Sequence, residues 1–428
     1  MGFARSGSLN RSSHPLHAPP ATPRAGGTFR ALAHRDFRLL WAGLVISAVG
    51  TWMQIVAQAL LVLDISHGSA VALGAVSLAQ ALAFFVFSLF GGAVADRVDK
   101  RRLLLVTQSL CMVFAVLLGL LTATHVVRVW MVVVLAFFQG TALSFDQPTR
   151  AALIPELVPK EELLNALSLQ SIIFTGASAV GPALAGIALP SIGYAGNFFA
   201  NAASYFAVLG ALYAIRAPHS SASSPTAART PSPRAIRESL DAVRKDAALP
   251  WILLVYGALL FFGPSPPLLL PAMSARILHL DPARLGILFA ASGAGAVAGG
   301  LGLASAGNPA QKGRIVVLAA LAWCASLAGF AAARSFPASL AALLFVGACG
   351  AVVTATSITL MQTRVPPNMR GRVMSLNTLL IMGVRPLGDF FGASVIAATG
   401  PVFAAAASAV VVALVAAAVL AHRAVRAV

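Results

Sequence analysis

GGAVADRVDKRRL, spanning Gly91 to Leu103, sets two glycines, the pair Asp96-Arg97 and the run Asp99-Lys100-Arg101-Arg102 between two long apolar blocks. Each block is about 20 residues, enough to cross a bilayer. A loop so charged cannot lie in hydrocarbon. It sits at a water interface, and its surplus of Lys and Arg assigns it to the cytoplasmic side.

The rest of the composition agrees with that assignment. Apolar residues make up 58% of the 428-residue chain and charged residues 10%, whereas about a quarter of a soluble domain is charged. The chain is read as a polytopic membrane protein. A formal net charge of +17 would suit nucleic acid, but the basic residues sit in short loops and tails rather than on one folded face, so membrane topology accounts for them and no nucleic-acid partner is expected. Cys111, Cys324 and Cys349 lie inside apolar blocks without metal-ligand spacing, which excludes a disulfide framework. No phosphate-binding loop, metal cluster or nucleophile elbow is found, so neither an enzyme nor a cofactor or metal is expected.

Twelve apolar blocks follow one another, centred from Ala48 to Val411. Residues 1–34 are rich in Ser, Pro, His, Gly and Arg and show no A-x-A-like cleavage site, which predicts a disordered cytoplasmic tail rather than a signal peptide. Of the 30 Lys and Arg, 25 fall on the side of that tail. Arg128, Arg276, Arg284 and Arg334 fall opposite, and Arg385 lies within a span. Both termini are therefore expected in the cytoplasm. Residues 217–248, containing HSSASSPTAARTPSPR, read as a cytoplasmic linker between six-span halves at 35–216 and 249–422, with 423–428 as a cytoplasmic end. VPKEELLNALSL at Val158–Leu169 and VPPNMRGRVMSL at Val365–Leu376 agree at four of twelve positions and occupy equivalent places in the two halves. That echo points to a parallel repeat about an axis along the membrane normal.

The chain resembles the major facilitator superfamily from about Ala33 to Arg423. Within it, the resemblance is to the drug and siderophore efflux branch. The residues that carry this are HRDFRLLWAG at His34–Gly43, GTWMQ at Gly50–Gln54, GGAVADRVDKRRL itself, FDQPTRAALIPELV at Phe145–Val158 and RGRVMSLNTL at Arg370–Leu379. The resemblance implies an all-α fold of twelve transmembrane helices in two pseudo-symmetric six-helix bundles.

Four groups of residues are candidates for function. Gly92, Asp96, Arg97, Arg101 and Asp146 form a gating set. Glycine allows a tight turn, and arginine pairs with carboxylates. The resemblance implies that Asp96 meets the start of the eleventh span while Arg97 or Arg101 reaches Asp146. The alternative is an ordinary positive-inside loop. The second group is Gly176, Gly181, Pro182 and Gly186 in the fifth span. These residues permit close packing and bending, and the resemblance likens them to an antiporter motif; plain small-residue packing is the alternative. Gly295-x-x-x-Gly299 and Gly388-x-x-x-Gly392 read as packing alone.

The third group is Arg385 and Asp389, one helical turn apart in the eleventh span and so able to pair. Intramembrane charges are costly and mark function by default. Asp389 is the candidate for a coupling proton or a cationic substrate, with Arg385 as its modulator; a neutral structural pair is the alternative. The fourth group is Gln54 and Gln58, sharing a face one turn apart, followed by Gln80, Gln139, Trp52 and Phe84, Phe85 and Phe87. Proton-coupled exporters of the family carry an arginine where this chain has Ala136, which leaves the eleventh-span charges as the remaining proton carriers.

These readings predict a monomeric inner-membrane exporter of a small amphipathic compound, embedded in the lipid bilayer and working by proton antiport with alternating access. An uptake permease of the same fold, or a non-transporting membrane protein that binds a ligand and signals, are the alternatives.

Overall fold

The computed structural model describes residue 2 and residues 29–95, 97–216, 241, 243–307, 309, 311–366 and 369–426. Among them the secondary structure is helical. The N-terminal half comprises α1 (Arg35–Ile65), α2 (Ala70–Ala95), α3 (Lys100–Ala123), α4 (Val129–Leu157) and α5 (Leu163–Ala214). The C-terminal half comprises α6 (Leu249–Phe262), α7 (Pro266–Met273), α8 (Pro282–Ser305), α9 (Lys312–Ala332) and α10 (Phe336–Thr363). It continues through α11 (Arg370–Leu379), α12 (Arg385–Thr399), α13 (Pro401–Leu420) and the short α14 (Arg423–Arg426).

Among the described residues, nine of these helices and the run Leu376–Thr399 through α11 and α12 are long and apolar enough to span a bilayer, and α6 with α7, bent by 42° at Gly263–Ser265, makes an eleventh. Inside the 52-residue α5, Gly193 adopts φ 66° and ψ −174°, a region open essentially to glycine alone. The chain breaks there into limbs at 163–192 and 194–214. That division is consistent with the twelve spans expected, in two bundles.

Proline and π-helical turns explain the irregular spans. α11 and α12 form one path whose residues Leu380–Val384 take a π turn, directly before Pro386, which lacks the N–H that an α-helix would use. Pro266 and Pro267 open α7 just after the bend, where a missing N–H costs nothing.

At the end of the molecule that carries the termini, each half holds a side-chain contact in an equivalent place. His34, before α1, lies 3.0 Å from Glu162 in the loop between α4 and α5. Asp246, before α6, accepts from Arg364 at 2.8 Å, at the end of α10. Asp246 also accepts from the N–H groups of Ala248 and Leu249 at 2.8 and 2.9 Å. Burial alone would raise the Asp246 carboxyl. The two N–H bonds and the guanidinium outweigh that and hold it below its ordinary value.

One tail expectation is corrected. Residues 29–34 belong to the fold, because Arg30–Ala33 makes a 3₁₀ turn with Ala31 fully buried and its N–H donating to Asn165 at 3.0 Å. Residues 3–28, and the linker over 217–240, lie outside the described residues.

The halves meet at the end away from the termini. Arg276 donates to Gly68 O across the seam at 3.2 Å. A Cβ on Gly74 of α2 would lie 2.7 Å from Ala393 of α12, and one on Gly186 of α5 would lie 2.6 Å from Pro282 O of α8. Towards the termini, Gly176 of α5 and Gly300 of α8 have open space where a side chain would stand.

Candidate functional site

Between the two halves lies a two-lobed cavity. A lobe of about 400 Å³ reaches into the N-terminal half and one of about 650 Å³ into the C-terminal half. They share a wall that includes Trp52, Gln58, Gln80, Phe174, Arg385 and Asp389. Volumes of this size hold drug-sized molecules.

Of the expected polar residues, Gln54 and Gln58 both face the smaller lobe. They are linked, since Asn201 on the second limb of α5 donates to Gln54 Oε1 at 2.6 Å and Gln54 Nε2 donates to Gln58 Oε1 at 3.5 Å. Gln80 and Gln139 also line that lobe, as do Trp52 and Phe84. Phe85 is 51% exposed on the outer surface, and Phe87 stands edge-on to Phe137 at 6.3 Å.

Arg385 and Asp389 are both on the shared wall, but the direct pair allowed by their spacing is not formed. Asp389, 6% exposed, accepts instead from the N–H of Ser265 at 3.0 Å. Ser265 is the cap of α7, where unpaired backbone N–H groups gather, so the bend of the seventh span offers Asp389 a stronger claim than its own helix neighbour. Arg385 makes neither hydrogen bond nor ion pair among the described residues.

The gating set is rearranged. Asp96 lies outside the described residues, and Gly92 sits in the last turn of α2. Asp146 is fully buried and accepts from Gln108 at 2.6 Å, from Thr107 at 3.1 Å and from Arg150 one turn along α4. Neither Arg97 nor Arg101 reaches it. Arg97 is exposed, and Arg101 donates to Tyr213 O at 2.7 Å. The loop base that does pair with α4 is Lys100, 2.7 Å from Glu156. The reason is depth: Asp146 lies ten residues, or about 15 Å of helix, further from the loop than Glu156. Asp99 is a helix cap, accepting from Arg102 N at 2.7 Å.

The fifth-span glycines lie at two interfaces. A Cβ on Gly181 would meet Trp52 and Val49 O of α1 at 2.5 and 2.8 Å, while a Cβ on Gly286 of α8 would lie 2.5 Å from Pro182 O and 2.9 Å from Gly186 Cα. Gly181 thus packs within its half, and Pro182 and Gly186 pack across the seam. Gly295 and Gly299 fit against Leu344 O and Ala348 O of α10, and Gly388 against Phe261 O of α6.

Sequence reasoning missed Arg150, Gln108, Gln147 and Gln170 as lining residues. By sequence Arg150 falls among the 25 Lys and Arg on the side of the tail. Its spacing of four from Asp146 repeats the Arg385–Asp389 spacing and was the available signal.

Comparison with known proteins agrees with this architecture. The profile described as "transmembrane secretion effector" (MFS_3) matches residues 26–427. The enterobactin exporter EntS of Salmonella choleraesuis (strain SC-B67) is 27% identical over 334 residues, covering 76% of this chain and 77% of that protein. A staphyloferrin A transporter of Staphylococcus aureus (strain NCTC 8325 / PS 47) is 30% identical over 159 residues, 37% of this chain and 40% of that protein. Among solved structures, a bacterial homologue of the iron transporter ferroportin in an inward-facing state superposes with TM-score 0.70 at 14% identity, covering 91% of this chain and 99% of that one. The nucleoside transporter NupG does so with TM-score 0.70 at 13% identity, covering 90% and 98%; at such identities only the fold is shared. With a two-bundle helical fold, a cavity walled by both bundles and a profile match over nearly its whole length, the chain belongs to the transmembrane secretion effector family of the major facilitator superfamily and is a multi-pass membrane transporter, not an enzyme.

Proposed function

We propose that the protein exports a small amphipathic compound of siderophore type from the cytoplasm across an inner membrane, as a monomer, by alternating access coupled to protons. One observation carries the reading: a cavity with charged walls from both halves, whose helices meet closely at the end away from the termini. The Lys and Arg asymmetry supports cytoplasmic termini, so the halves meet at the outer end and the cavity loads from the cytoplasm, as an exporter requires. The two siderophore-named relatives support the substrate class.

In this cycle the halves at 35–216 and 249–422 rock about the site. The seam of Gly186 on Gly286 and Arg276 on Gly68 opens, while the helices that carry Gly176 and Gly300 close. Asp389 is the carboxylate placed to take the coupling proton, since it lies on the cavity wall and also holds the bend of α6–α7. Everted vesicles with an imposed pH gradient test the reading. Accumulation of a siderophore or its precursor, lost when the gradient is collapsed, is the expected result. Movement of the compound out of the vesicles would reverse the direction, and insensitivity to the gradient would remove the proton coupling.

A further inference from the structure

The cavity wall is divided by polarity. In the smaller lobe Gln80, Gln139, Gln147 and Gln170 make no hydrogen bond among the described residues. The larger lobe is walled by Leu260, Phe289, Trp323, Leu327, Leu343 and Val346, and every Gln, Arg and Asp that lines it belongs to the wall shared with the smaller one. Beyond the shared wall its described polar side chains are Ser and Thr hydroxyls, apart from the indole of Trp323.

Arg385 stands at the junction of the two lobes. Arg150, the other arginine of the cavity, is neutralised by Asp146. Arg385 has no such direct ion pair among the described residues: Asp389, one turn away, feels its charge but gives its hydrogen bond to Ser265, so the guanidinium N–H donors stay unfilled. A guanidinium carries five N–H donors, and an unpaired cation inside a membrane protein is costly. It is therefore a standing site for an anionic oxygen, flanked on one side by unused amides and on the other by hydrocarbon.

We propose that the substrate is an anionic amphiphile. Its acidic group pairs with Arg385, its carbonyl or hydroxyl groups bond to the glutamine amides of the N-terminal lobe, and an apolar chain or ring lies among Trp323, Leu327 and Leu343. The proposal rests on the transport reading above and narrows its substrate. It also reverses the expectation of a cationic substrate at Asp389. Outward movement of a net anion is itself favoured by an inside-negative membrane potential, in addition to whatever the Asp389 proton supplies.

The test is equilibrium binding to the purified full-length protein in lipid nanodiscs, with binding to empty nanodiscs subtracted. The probes are N-decanoylglycine, its uncharged amide N-decanoylglycinamide, and the short acid N-butanoylglycine. A charge-assisted pair with Arg385 predicts that the wild type binds the long acid about ten-fold or more tightly than the amide. Arg385→Gln should abolish that preference and Arg385→Lys should keep part of it. Gly350→Leu, which places a side chain towards Trp323 3.6 Å from its Cβ, should bring the long acid down to the affinity of the short one. Equal binding of acid and amide by the wild type overturns the proposal, as does absence of saturable acid binding or an acid preference that survives Arg385→Gln. The wild-type comparison of acid with amide needs no variant to fold. If acid and amide bind alike while everted vesicles still accumulate a siderophore precursor, the substrate class falls and the transport reading stands; if no compound moves, the transport reading itself falls.

Discussion

Asp389 and Asp246 each hold the start of a helix in the C-terminal half, and their surroundings give them different duties. Asp389 faces the cavity and accepts from Ser265. Asp389→Asn keeps the shape but cannot exchange a proton, so driven export should be lost while protein abundance in the membrane is unchanged. Unchanged gradient-driven transport by this variant would remove Asp389 from the coupling step. Asp246 lies outside the spans, with its carboxyl held below the ordinary value. A lowered folded-state value means that its stabilising contribution is complete above the unfolded carboxylate pKa and is lost as pH falls through the folded one. Asp246→Ala should therefore cost about 1 kcal/mol at neutral pH, as the loss of a helix cap does. The gap between wild-type and variant melting temperatures should close as pH falls through the lowered value; a gap independent of pH would show that the charge contributes nothing.

At the scale of elements, glycine serves α5 in two ways, as a backbone break at Gly193 and as a close approach at Gly186. Gly193 splits α5 at a conformation that other residues adopt only at a cost of about 1–3 kcal/mol. Gly193→Ala has open space around its Cβ, so any loss of melting temperature reads backbone strain alone. Gly186 is different, because its φ is ordinary and its neighbour is the backbone of α8, with Pro282 O 2.6 Å from a built Cβ. Gly186→Leu should wedge α5 from α8 and raise thiol-reagent access, from the outer side, to a cysteine introduced at Ser292, which lines the larger lobe. Unaltered access would mean that the seam is not the outer gate. The glycine-proline spacing was visible in the sequence, but which glycine faced the other half was not. Both sides of such a helix are apolar, so no amphipathic period marks the seam. The π turn ahead of Pro386 was likewise unannounced, since proline signals a lost N–H without saying whether the helix kinks, breaks or widens.

For the whole molecule, Arg276 ties the end of α12 to the opposite half, donating to Ile396 O at 3.5 Å and to Gly68 O at 3.2 Å. Arg276→Ala should shift the population towards opening at the outer side. Paired spin labels on the loops 66–69 and 279–281 would then report a longer mean distance, and an unchanged distribution would rule out a gating role for this bond. The sequence by itself determined the class, the two-bundle plan and the polar residues at membrane depth, because hydrocarbon imposes a local rule: apolar runs of a set length, and charges at their ends. Gln54, Gln58, Arg385 and Asp389 were legible for that reason. Only the tertiary structure decided that Lys100 takes Glu156, that Asp146 belongs to Arg150, and that Asp389 gives its hydrogen bond to Ser265 rather than to Arg385. Those pairings depend on the depth and rotation of helices relative to one another, which are fixed by packing between segments far apart in the chain rather than by any local period.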